Sequence, residues 1–439
     1  MTPDNSWAWL HTECTSETER DENGSLKFTV YDVRAGDYVD VVAMFDVGAT
    51  GGVERTRDTT IKNGIMKSEA KQEQQWRDQQ RKQARIRLIT WIAIAVVGLV
   101  LCVIAIIFAL RSFNRSQYHG GVEYWRDEPE MSPASAAELL HMVDNKHSST
   151  LTSRKMSASV LSLASRGAIA IYPGVAAMYR GIDMSQANNA DIARMIANDP
   201  ARIRDVGKTS TVVILPVVFD NVQSLQLRPS EQAALDLLVT ASERIGSPVF
   251  DLDQMNENFS GWKNGYKLQE KFTNTCDNEF AMLGATSIYG GGAFAASICA
   301  VMLAFLSMLY FGAIGNLALL AVISAPMMFA SVFALSYLKL KGLTDNGQYL
   351  AGQVLGLKHY MEDFSEFKDR GVTDMTLWGR YMVYATAFGI SKKAMKQLLK
   401  AYPQLADPQW LDNNASDSLL YWSYRFMVFR PSLRRSCFV

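Results

Sequence analysis

Between Glu279 and Lys339 the chain carries no Asp, Glu, Lys, Arg or His. A charge-free run of that length is long enough for two bilayer crossings of ~20 residues each at ~1.5 Å per residue, with a connection between them. Near its middle lies Phe311-Gly312-Ala313-Ile314-Gly315-Asn316, small and turn-prone. The run therefore predicts a helical hairpin, with transmembrane helices over 280–310 and 317–338. Whatever else the chain does, its fold is organised around a membrane element.

A second apolar segment, 88–110, is uncharged, rich in Ile, Val and Leu, and closed by Arg87 and Arg111. It predicts a single transmembrane helix, with Trp91 near one interface, where an amphipathic ring is favoured. Residues 64–87 before it are polar and helix-favouring but lack an apolar stripe, so they read as a charged juxtamembrane helix in solvent. Within 1–63, Leu26, Phe28 and Val30 alternate with polar neighbours after the turn signal Glu22-Asn23-Gly24, and Tyr38–Val47 follows as a second strand-like run. Two or three strands bury too little for a core of their own. This part, 1–63, reads as the remaining edge of a larger, here partial, β domain, and the start Met-Thr-Pro-Asp-Asn lacks the basic n-region and apolar h-region of a signal peptide.

Residues 111–279 form a soluble insert. Ser132-Pro133 is an N-cap with Pro at the first helical position, Gly167 is placed to close a second helix, and Ala168–Tyr172 reads as a strand. Helix, helix, then a Gly-started strand suggests a winged-helix-like α/β insert. Thr211–Phe219 reads as a further strand, and 229–244 as a helix stopped by Gly246. Beyond the hairpin, 339–400 forms a helical region, with helices predicted over Tyr349–Phe364 and Leu377–Leu399. The tail, 401–439, mixes aromatic residues with Arg430, Arg434 and Arg435, a pattern suited either to a membrane surface or to packing. The fold class expected is thus a multi-domain integral membrane protein with three transmembrane α-helices.

Few residues carry recognisable chemistry. The five cysteines are scattered, and Lys+Arg and Asp+Glu balance at 44 each. Gly290-Gly291-Gly292 lacks the Lys-Ser/Thr of a phosphate loop. Gly292, Ala296 and Ala300 instead predict a small-residue strip for close helix packing, matched by Ala321 and Ala325 before Pro326. Asp251-Leu252-Asp253 is a lone D-x-D, and the histidines His11, His119, His141, His147 and His359 show no metal spacing. No catalytic, cofactor-binding or metal-ligating residue is assigned. Across 111–279 there are 17 Lys/Arg against 20 Asp/Glu, an acidic balance that argues against nucleic acid.

Three stretches resemble one family, the bacterial predicted membrane proteins grouped as DUF2207 (YciQ-like). The first pairs Pro133–Leu140 with Leu161-Ser162-Leu163-Ala164-Ser165-Arg166-Gly167. The second runs from Leu343-Thr344-Asp345-Asn346-Gly347 to Gly356–Phe364, and the third is Leu377–Gly389. The resemblance implies an extracytoplasmic β domain, a transmembrane helix, a cytoplasmic insert, a hairpin and a cytoplasmic tail. It implies no activity.

A hairpin returns the chain to the side it left, so 111–279 and 339–439 share one compartment. After the hairpin there are 14 Lys/Arg against 9 Asp/Glu, which by the positive-inside rule places that compartment in the cytoplasm of a multi-pass cell-membrane protein. The first helix read alone points the other way: Lys67–Arg87 holds seven Lys/Arg, and Arg111–Met131 three. The function expected is a non-enzymatic membrane-anchored interaction or scaffold protein, with the lipid bilayer and cytoplasmic proteins as partners. The alternative is a transporter or channel component, which three spans could form only as a homo-oligomer, or a membrane-associated enzyme.

Overall fold

A computed structural model of the chain describes residues 6–22, 24–46, 48, 61–144, 150–184, 186–367 and 375–426. His147, Arg430, Arg434, Arg435 and the turn residue Asn23 lie outside them. The chain divides into two compact units, Met1–Val97 and Gly98–Val439.

In the first unit β1 (Ser6–Thr12) pairs with β4 (Val39–Phe45), and β2 (Ser16–Arg20) pairs with β3 (Leu26–Val30), both antiparallel. β3 and β4 are legible in the sequence as strand-like runs; β1 and β2 are not. Lys62 Nζ sits 3.8 Å over the Trp7 ring, and His11 Nε2 lies 2.8 Å from Glu69 Oε2, which ties these strands to the start of the following helix. That helix, α1 (Lys62–Arg115), runs unbroken from the charged segment through the apolar one.

Among the described residues three helices are long and apolar enough to cross a membrane: α1, α10 (Gly291–Ala313), and Leu317–Tyr337. The last begins as α11 (Leu317–Leu319), passes through a π turn at Leu320–Ser324, and continues as α12 (Ala325–Tyr337). Pro326 has no N–H to continue an α-type ladder, and the π turn lies just before it.

The helix expected to start at 280 starts instead at Gly291. Residues 280–290 belong to the end of α9 (Gly265–Met282), to Gly284 in the left-handed region at φ 60°, and to β8 (Thr286–Ile288). The packed strip of α10 also differs from the expected Gly292, Ala296 and Ala300. The buried face of α10 is Ala293, Ser297, Ala300, Ala304, Ser307 and Phe311, whereas Gly292 faces open space. Opposite it stand Ser324, Met327, Ser331 and Ala334, with Ala321 and Ala325 exposed. Strict spacing of four drifts ~40° per step around a helix; alternating steps of four and three hold one seam. Serines complete that seam, and Ser307 Oγ bonds Ser324 Oγ at 2.9 Å. From α1, Cys102, Ala105 and Ala109 pack into the same cluster, and a Cβ on Gly98 would lie 2.1 Å from Met327 Cε.

The soluble part of this unit carries α2 (Pro133–Asp144), α3 (Leu151–Ser165), β5 (Ile169–Pro173), α4 (Asn189–Ala197), α5 (Pro200–Asp205), β6 (Ser210–Ile214), α6 (Val217–Asp220), α7 (Pro229–Ile245), β7 (Val249–Asp251) and α8 (Leu252–Ser260). The order helix, helix, strand is present, and Gly167 (φ 75°) ends α3 with Ala168 N bonded to Leu163 O. The antiparallel sheet, however, has order β5-β6-β7, with α7 between its last two strands where a wing would be a hairpin. The apolar run to Phe219 stops being a strand at Pro216, which offers no N–H to a ladder.

After the hairpin come β9 (Lys341–Leu343), α13 (Asp345–Asp363), α14 (Met375–Phe388), α15 (Ser391–Ala401), α16 (Pro408–Asn414) and α17 (Tyr421–Arg425). The single helix expected over Leu377–Leu399 is two, broken at Gly389 with φ 73°. One hydrophobic cluster joins Met131, Leu139 and Leu140 from before the hairpin to Leu357, Trp378, Tyr384, Leu398 and Tyr421 from after it. The segments before and after the hairpin thus share a core, and the aromatic tail as far as Phe426 is packed.

Residues 117–131 form an extended strap along α13. Gln348 side-chain atoms bond Gln117 O and His119 N, and Gln353 Oε1 accepts from Glu130 N at 3.0 Å. The contact needs glycine: a Cβ on Gly356 would lie 2.8 Å from Trp125 N, and one on Gly352 2.8 Å from Tyr118 Oη. Gly356→Ala is expected to lift the strap and cost about 1–3 kcal/mol, as core overpacking does. A thermal melt in detergent checks this; Gly291→Ala, which meets nothing within 4 Å, serves as the control. Equal melting of both variants would mean that the strap does not depend on close approach.

Candidate interaction site

The sequence features that suggested chemistry have structural employment. Asp251 caps α8, accepting from Gln254 N at 2.9 Å, and its other oxygen accepts from Ala176 N at 2.9 Å; Asp253 is exposed. Gly290 to Gly292 form the N-terminus of α10. His119 and His359 bond backbone carbonyls of Asn114 and Glu123. Among the described residues no group of three or more His, Cys, Asp or Glu is placed to hold a metal ion.

Buried charges that the sequence did not single out are more numerous than expected. Glu231 is fully buried, within reach of Arg166 Nε at 3.2 Å, and accepts from Ser162 Oγ at 2.5 Å and Arg228 N at 2.8 Å. Glu279 Oε2 accepts from Ser230 N at 2.8 Å. Pro229 and Ser230 open α7, so both carboxylates sit where the helix dipole and its unpaired N–H groups favour negative charge. Lys155 bridges Glu138 at 2.5 Å and Asp277 at 3.3 Å. Burial alone would lower its pKa, but the hydrogen bond and charge of Glu138, with Asp277, raise it, so Lys155 stays a cation. Burial pushes the Cys276 thiol up to about 12 and holds the Tyr384 phenol, near Glu128, well above the usual tyrosine range. A locked ammonium, a protonated thiol and a protonated phenol hold the fold; none is poised as base or nucleophile.

Among the described residues a partly open groove of about 340 Å³ lies along β5. Leu215 N bonds Ala168 O at 3.1 Å and Gly174 N bonds Thr209 O at 2.8 Å. Antiparallel alternation then turns Ala168, Ala170, Tyr172 and Gly174 toward β6. Ile169 and Ile171 turn their N–H and C=O the other way, into the groove. β5 is an edge of the sheet, and those groups have no partner among the described residues. Pro173 O is taken by Tyr179 Oη.

One wall is Leu161, Ala164 and Ser165 of α3; the other is Asp417 to Leu419 with Trp422. The second wall is fixed: Asn189 Nδ2 donates to Ser416 O at 2.7 Å, Arg425 Nε to Asp412 at 2.9 Å, and Trp422 packs on Tyr172 with ring centroids 5.7 Å apart. Asp417 pairs with no cation among the described residues. No signal in the sequence could have joined a strand at 169 to a wall at 417, because the groove exists only once the segments on either side of the hairpin share a core.

Residues 121–398 match a family described as the C-terminal domain of a predicted membrane protein, DUF2207. The chain belongs to that family of membrane proteins. No curated protein and no solved structure matches it. The stretches that carry the likeness are structural: Gly167 ends α3, Arg166 pairs with Glu231, Gly356 admits the strap, and Trp378, Tyr381 and Tyr384 are buried.

Glu231→Ala is expected to lower stability by about 3 kcal/mol, the lower end of the range for breaking a buried pair, since Arg166 keeps some solvent. Chemical denaturation of the detergent-solubilised protein measures it. A loss below about 1 kcal/mol would make the pair incidental.

Proposed function

We propose that the protein is a non-enzymatic, multi-pass cell-membrane scaffold whose soluble unit faces the cytoplasm and captures an extended segment of a partner protein by strand addition to β5. The unpaired edge carries this reading: Ile171, half-buried, and Ile169, only 2% exposed, turn two main-chain donor–acceptor pairs away from β6 at a spacing of two residues, the pattern an added strand uses. Leu161 and Ala164 in one wall, with Leu419 and Trp422 in the other, suit alternating apolar side chains. Asp417 at the rim suits a Lys or Arg in the segment. The seam between the membrane-length helices is Ala, Ser, Cys and Met rather than ionisable groups, which supports anchoring over transport.

Proline on an edge strand is tolerated where its missing N–H would face outward. Ile171→Pro therefore removes one groove donor while leaving the bonds to β6. A photo-crosslinkable residue at Ser418, in membranes from the native host, is expected to give a discrete protein adduct. Ile171→Pro should cut that adduct roughly tenfold, the effect of one lost hydrogen bond of ~1.4 kcal/mol, without changing the melt. An adduct at undiminished yield would contradict strand addition.

A further inference from the structure

At one end of the membrane-length helices the chain makes a compact junction. β8 and β9 pair antiparallel, and Tyr289 N and Gly290 N both bond Leu340 O. The end of α1 is fastened to it: Lys339 N donates to Ser112 Oγ at 3.2 Å, and the Arg115 guanidinium lies 4.5 Å over the Tyr289 ring. Phe113 and Tyr337 meet edge to face at 5.6 Å. The junction thus carries a ring of Tyr and Phe at the level where three apolar helices end, as interfacial aromatic belts do.

Two further features coincide there. Apolar side chains stand out: Met282 is 85% exposed, Ile288 75% and Leu340 51%. Beside them Arg111, Arg115, Lys339 and Lys341 contribute four cations, while neither 111–118 nor 339–344 contains an acid. Arg111 and Lys341 are exposed and have no acidic partner among the described residues. Water alone would leave this surface with an uncompensated hydrophobic cost and an unneutralised positive field. A zwitterionic lipid would cover the apolar part and leave the charge; an anionic one answers both.

We propose that the β8–β9 junction, with Arg111 and Lys341, is a binding site for anionic phospholipid headgroups, with Ile288 and Leu340 set in the acyl boundary. The site ties the soluble unit to the leaflet it faces and favours the leaflet richer in anionic lipid. It rests on the reading that the hairpin crosses a membrane.

The test uses the full chain in detergent, titrated with short-chain phosphatidylglycerol, short-chain phosphatidylcholine or inorganic phosphate, and read by thermal melting. Wild type should be stabilised at lower concentration by phosphatidylglycerol than by phosphatidylcholine. Arg111→Gln and Lys341→Gln should each lower that preference about fivefold, equivalent to ~1 kcal/mol per basic side chain at an anionic surface. Phosphatidylcholine melts should be unchanged by either. Lys396→Gln, on α15 and away from the junction, should keep the full preference. Equal response to the two lipids, a preference that survives the double variant, or stabilisation by inorganic phosphate to the same degree would overturn the site. Failure of both lipids to stabilise wild type would overturn the membrane reading beneath it as well.

Discussion

The neck of the hairpin is where the rest of the structure is decided. A backbone leaving hydrocarbon must have its polar groups paired inside the protein, because no water is there to take them. Here the two chain ends satisfy each other: β8 lies on β9, Thr344 N donates to Ala285 O at 3.1 Å, Thr344 Oγ1 to Gly284 O at 2.7 Å, and Asn346 Nδ2 to Leu283 O at 2.8 Å. Gly347 follows, where any side chain would put its Cβ 1.9 Å from Ala285 O. Thr344 also caps α13 through Gly347 N. The same few residues therefore close the hairpin and aim α13 back along the segment that preceded it.

From that aim the shared core follows. α13 meets α2 and the strap 117–131, α14 lies on α2 and α3, and the tail covers the end of β5. Charges buried in this process sit at helix starts or in pairs, so that Glu231, Glu279 and Lys155 cost less than isolated ions would. Among the described residues the β5 groove stays uncovered when the tail as far as Phe426 has packed.

How far the sequence could be read depended on the physics of each signal. Absence of charge over 280–338 located the hairpin because hydrocarbon excludes charge at any sequence position. It could not mark where α10 begins, since uncharged residues also build β8 and the turn at Gly284. A three-residue strand is too short to show a period of two. Gly292, Ala296 and Ala300 share small size and a fixed step of four. The packed seam alternates four and three and counts Ser297, Ser307 and Ser331 among its small residues. Caps were legible at Ser132, Gly167 and Gly246, where local backbone geometry alone decides. The groove was not legible, because its two sides are about 250 residues apart in the sequence, with the hairpin between them.

The central claim is that the segments flanking the hairpin fold together on one side of the membrane. Single cysteines at His119 and Asp417, in a variant lacking the native thiols, would be probed in sealed membrane vesicles with a membrane-impermeant maleimide. Both positions are expected to share one labelling pattern, and fusions there to report cytoplasm. Labelling of one from outside and the other only after permeabilisation would contradict the hairpin, the neck and the shared core together.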